Sequence, residues 1–137
     1  MGKISESELA RRLGPWCSPD RLRKRRKFLP VAKGEQGKSF EFDERAVFYV
    51  LLAENMTTHK ASFVDLQDQI SAIDYDRVGV DQHRLVRTVR YIKGHPHLKA
   101  AKWESDPVDG DPSGSMCLSR TVLELENIKE AAIDLLK

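Results

Sequence analysis

Gly14 and Pro15 end one helical pattern, and Ser18 and Pro19 begin another only three residues later. That spacing sets two short helices side by side across a tight turn, which restricts the fold more than any other feature of the chain. Before the break, ESELARRLG places Leu9, Ala10 and Leu13 at helical spacing, with Ser5 as N-cap and Glu8 three residues on, a capping box. After it, Ser18 caps a helix with Pro19 at its first position and Asp20 in its first turn, and DRLRKRRK continues for about two turns.

Six of the seven residues from Arg21 to Lys27 are cations: Arg21, Arg23, Lys24, Arg25, Arg26 and Lys27. Leu22 alone is left to face the first helix. A charge run is ordinarily a solvated surface, but like charges crowded on adjacent turns repel and cost helix stability unless a polyanion neutralises them. A basic helix following a short amphipathic one is the arrangement in which the second helix enters a DNA major groove. The wider charge distribution agrees. Residues 1–60 carry 13 Lys and Arg against 8 Asp and Glu, and the remainder 10 against 13, so the positive field lies at the N-terminal end. A membrane surface is the poorer partner, because an interfacial helix needs an apolar face and only Leu22 and Phe28 offer one.

FLPVAKGEQGKSFEF then sets two short apolar stretches around a GEQG turn, the pattern of a hairpin, with Lys33 and Lys38 near its tip. DERAVFYVLLAENM reads as a helix capped by Asp43, with Val47, Phe48, Val50, Leu51 and Leu52 packing inward. Taken together, residues 4–55 resemble the winged helix-turn-helix of the MerR and excisionase-like DNA-binding superfamily. ISESELARRLG stands for the first helix, SPDRLRKRR for the recognition helix, FLPVAKGEQGKSFEF for the wing and DERAV for the start of the next helix. The resemblance implies a DNA-binding domain over residues 1–57, with Arg23 in its recognition helix and a basic wing. That family follows its Leu-Arg pair with two tyrosines; here Lys24 and Arg25 follow Leu22-Arg23, so only those two roles carry over. Arg23 and Arg25 are the candidates for base-edge contact, since arginine grips guanine with two hydrogen bonds, and Lys33 and Lys38 the candidates for phosphate.

Residues 58–137 form a second region. SFVDLQDQISAI is an amphipathic helix with Phe63, Leu66, Ile70 and Ile73 on one face. VDQHRLVRTVRYIKG reads as another, with Leu85, Val86, Val89 and Ile92 inward, Arg84, Arg87, Arg90 and Lys93 outward, and Gly94 as its stop. LKAAKWES and SMCLSRTV are expected strands around the turn-rich DPVDGDPSG. Two readings stay open and level. One is a second winged helix in tandem, with Arg84, Arg87 and Arg90 on a second DNA-binding helix; the other is a hairpin and helix that brace the first domain. The last segment, residues 121–136, repeats Leu125, Ile128, Ala132 and Leu135 at seam spacing. It is either a dimerisation helix or the closing element of its own core, and a homodimer reading two half-sites is favoured.

Catalytic chemistry has little to stand on. The sequence shows no phosphate-binding glycine loop, no HExxH and no GxSxG, and DYD at 74–76 falls in a plain loop. Cys17 and Cys117 lie far apart with no metal-ligand spacing, and His95 and His97 are a weak pair. The reading is therefore a non-enzyme with no cofactor and no evident small-molecule effector. Without an apolar run of about 20 residues or a signal-like start, its expected place is the cytoplasm, on the nucleoid. The expected fold is mainly α with short β-hairpins: one winged helix-turn-helix, or two in tandem, plus a C-terminal dimerisation helix. The expected function is sequence-specific binding of double-stranded DNA as a bacterial or mobile-element transcriptional regulator. The alternatives are an accessory factor of excision, partition or replication that assembles on repeated sites, and a protein-interaction adaptor whose basic helix binds an acidic partner.

Overall fold

The computed structural model describes residues 2–27, 29–30, 40–57, 63–94, 98–100, 103–104 and 115–137. In chain order these form β1 (Ile4–Ser5), α1 (Glu6–Leu13), a 3-10 turn (Gly14–Trp16), α2 (Pro19–Arg26), β2 (Glu41–Phe42), α3 (Glu44–Met56) and α4 (Phe63–Ser71). A 3-10 turn (Tyr75–Arg77), β3 (Arg84–Ile92), β4 (Leu98–Ala100), β5 (Ser115–Glu124) and α5 (Leu125–Leu135) follow. The fold is mixed α/β. β1 and β2 pair antiparallel, Ile4 opposite Phe42, and β4, β3 and β5 form an antiparallel sheet in that order. No described helix is long and apolar enough to cross a membrane.

The first two helices start where their caps require. Ser5 Oγ accepts from the Glu8 backbone N–H at 3.1 Å, and Ser18 Oγ from that of Arg21 at 3.2 Å, each satisfying a donor the helix leaves open. Half of the capping box is absent: the Glu8 carboxylate turns to Arg11 and Arg12 instead of back to Ser5, and these guanidiniums hold its carboxyl down to about 2. Gly14 ends α1 at φ 63°, with its N–H donating to the Ala10 carbonyl, a left-handed position that suits a residue without Cβ.

Asp43 caps α3 through the Ala46 N–H at 2.9 Å. Val47, Phe48, Val50, Leu51 and Leu52 are all buried, together with Ala46, Tyr49, Ala53, Glu54 and Met56. A helix apolar on nearly every side must be enclosed: α2 and β2 pack on it, as do α4 and α5. One core cluster runs from Leu9 and Leu22 through α3 to Leu66, Ile70, Leu85, Trp103, Leu125 and Ala132, drawing on both parts of the chain. The ends also meet, since Arg12 Nη1 donates to the carbonyls of Leu135 and Lys137.

Two expectations are corrected here. Residues 84–92 are the central strand of the three-stranded sheet, not a helix. Leu85, Val86, Val89 and Ile92 fit a helical stripe, but Val86, Thr88, Val89, Tyr91 and Ile92 are β-branched or aromatic, the types that suit a pleated surface. Pairing on both edges settles the conflict: Val89 faces Ala100 on one side and Ser119 on the other, with a bulge between Val89 and Arg90. Among the described residues, the order after α4 and the second 3-10 turn is thus strand, strand, strand, helix. Among the described residues no second winged helix with Arg84, Arg87 and Arg90 on a recognition helix forms, and the fold is mixed α/β instead of mainly α. The second correction is one of boundary. Thr121–Glu124 complete β5, and α5 begins at Leu125 instead of residue 121.

Candidate nucleic-acid interface

The run of six cations is sorted by the turn of α2. At 100° per residue, positions 20, 23, 24 and 27 share one side and 22 and 25 the opposite one. Leu22 is fully buried, as its place between α1 and α3 requires. Arg25 is buried with it: Nε lies 2.6 Å from Oε1 of Glu54 on α3, and Nη2 donates to Thr57 Oγ1 at 3.4 Å. Arg25, expected on the outward face, is thus a buried side chain paired with Glu54. The cause is one acid in an otherwise apolar helix face.

Arg21 stands at the edge. Its side chain is about half exposed, yet its Nε lies 3.2 Å from the same Glu54 oxygen. Cys17, buried beneath, donates its thiol to that oxygen at 3.6 Å. Burial above all, then the Glu54 charge, push the thiol up to about 12, so it is a packed neutral group without nucleophilic use.

Arg23, Lys24 and Lys27 face outward. Arg23 lies 3.4 Å from Glu6 of α1 and 3.7 Å from Asp20. Both pairs are long and exposed on the arginine side, so they contribute little and exchange readily for another anion. Lys24 and Lys27 have no ion-pair partner among the described residues. Arg26 lies on the same helix, with its side chain outside the described residues, as are Lys33, Lys38 and the other residues from 31 to 39 of the expected wing. β2, which would close that wing, pairs with β1.

The remaining candidates lie elsewhere. Successive side chains of a strand take opposite faces, so Arg84 and Arg90 share one face of β3 and Arg87 the other. Arg84 is exposed, Arg87 and Arg90 are half-buried, and Arg87 Nη1 is buried with no hydrogen-bond partner among the described residues. On α5, Leu125 and Ala132 are fully buried, and Ile128 and Leu135 pack against the same core. The expected seam thus faces the chain's own α3, leaving Leu125 and Ala132 no surface to offer a second copy. Asp74 and Asp76 of the DYD stretch serve structure: Asp74 caps the 3-10 turn and Asp76 pairs with Arg45 at 2.7 Å.

Sequence reasoning missed Glu54. Its signal was present, a lone carboxylate in VFYVLLAENM, because an acid in a buried helix needs a cation within reach. Trp16, half exposed, was missed too; with Leu51, Val122, Ile128 and Ala131 it lines an open groove of about 380 Å³. The chain matches no protein-family model, no curated protein and no solved structure.

Proposed function

We propose that this protein binds double-stranded DNA through the outward face of α2, as a sequence-specific regulator of the winged helix-turn-helix type. The observation that carries the reading is the sorting of charge on that helix: Arg23, Lys24 and Lys27 point to solvent while Leu22 and Arg25 fix the opposite side to the core. A rigid helix with three outward cations on one stripe fits a groove flanked by phosphates. α1 crosses behind it and Ser18 holds its N-terminus. Arg23 is the base-edge candidate, and Lys24 and Lys27 are phosphate contacts. Lys33 and Lys38, in the segment that follows α2 in sequence, are further candidates for phosphate contact. A homodimer reads two half-sites, joined by a surface other than the buried side of α5.

The test is selection of bound sequences from random duplex DNA with the purified protein. One palindromic motif supports a dimeric regulator. Phased direct repeats support instead an accessory factor assembling on repeated sites, and absence of any enrichment, with binding to acidic peptides, supports the adaptor.

A further inference from the structure

Glu54 has no place in contact with a ligand, yet it meets two of the six cations of α2. Its side chain is 5% exposed. One oxygen, Oε1, lies 2.6 Å from Arg25 Nε and 3.2 Å from Arg21 Nε, and accepts from the Cys17 thiol at 3.6 Å. Thr57, which accepts from Arg25, donates in turn to the Ala53 carbonyl at 2.9 Å, so the far end of α2 is tied to the last turn of α3. A carboxylate and a phosphate oxygen attract a guanidinium alike, as negative charges within ion-pair reach. Glu54 therefore competes with any polyanion for these two arginines, and it is already in place.

We propose that Glu54 is a built-in counter-anion that sets how many cations α2 delivers to nucleic acid, withholding Arg25 entirely and holding Arg21 back. The inference rests on the DNA-binding reading of α2. Glu54 is a positioning residue in this role, since it acts through Arg21 and Arg25 without touching the ligand. Its effect is discrimination. A helix delivering fewer mobile guanidiniums gains less from phosphates of any sequence, so a larger share of its binding comes from the groove.

The experiment measures binding of the full chain to a mixed-sequence 30-base-pair duplex from 50 to 200 mM salt, for wild type, Glu54→Gln and Glu54→Asp. Glu54→Gln keeps the shape and removes the charge, and each arginine it frees steepens the log-log salt slope by about 0.9, an extra loss of about threefold in affinity over that range. Glu54→Asp keeps the charge and the wild-type slope. A folded Glu54→Gln protein with the wild-type slope overturns the counter-anion role and leaves the DNA reading standing. A wild type that does not bind duplex overturns both. Should Glu54→Gln not fold, NMR of the arginine Nε–H groups of the wild type decides: on adding the duplex, the Arg23 signal shifts and the Arg25 signal stays. An Arg25 signal that moves with the duplex means that Glu54 lets go, and the inference falls.

Discussion

Arg23 and Arg25, two residues apart on α2, face opposite ways: the Arg23 side chain is 57% exposed, that of Arg25 8%. Two steps along a helix turn the side chain by about 200°, so one arginine meets solvent and the other the Glu54 carboxylate. Their substitutions should separate cleanly. Arg25→Ala leaves the buried Glu54 charge with the longer Arg21 contact and the Cys17 thiol and lowers stability by about 3 kcal/mol, measured by denaturant unfolding. Arg23→Ala changes stability by less than about 0.5 kcal/mol and weakens binding to a selected site by roughly 1–3 kcal/mol. Equal stability losses in the two variants would contradict the burial pattern.

The two thiols should report the fold. Cys17 is 1% exposed beneath α2, while Cys117 lies half-buried on β5. One equivalent of a thiol reagent should react with the native protein and the second only as it unfolds. The Cys17 thiol is raised to about 12 from 9.0, so the folded state keeps a proton that the unfolded chain loses first. Its contribution to stability is intact below pH 9 and is lost as pH rises from 9 toward 12. Two fast equivalents at neutral pH would place Cys17 outside the core.

Substitutions in α5 should cost folding before they cost assembly. Leu125→Ala empties a fully buried site and should lower stability by roughly 2–5 kcal/mol. Ile128→Asp and Leu135→Asp set a carboxylate against apolar packing and should lower the midpoint of unfolding sharply. Variants that keep the wild-type midpoint and become monomeric would restore the interface reading of this helix.

How far the sequence reaches depends on whether local and tertiary preferences agree. The caps Ser5, Ser18 and Asp43 are short-range hydrogen-bond devices, and all three act where the sequence places them. The inward stripe of α3 is equally plain, because it is long and nearly all apolar. RLVRTVRYI is different, since its apolar positions fit a helix face while its residue types favour a strand. Partners far along the chain, at 98–100 and 115–124, decide it. The candidate site divides the same way. Composition marks α2 as basic, but which of its cations are free depends on Glu54, an acid about 30 residues away in sequence.

Sheet placement changes what the arginines of β3 can do. Arg84 and Arg90 share a face and Arg87 takes the other, so no single helix-like stripe meets a groove. The double variant Arg84→Ala, Arg90→Ala should give the same length of nuclease protection on a selected duplex as wild type. A shorter footprint would put this face of the sheet against DNA.

The central claim is that the outward face of α2 meets a duplex, and salt dependence tests it most directly. The measurement is the log-log slope of duplex affinity against salt for wild type and for Arg23→Ala, Lys24→Ala, Lys27→Ala combined. All three positions are exposed, so the variant should fold as wild type does. Wild type should lose affinity steeply with salt, and the variant slope should be shallower by about 1.8, since Lys24 and Lys27 each neutralise a phosphate and each phosphate that keeps its counterions takes about 0.9 from the slope. A wild-type affinity indifferent to salt, or a folded triple variant with an unchanged slope, would contradict the account.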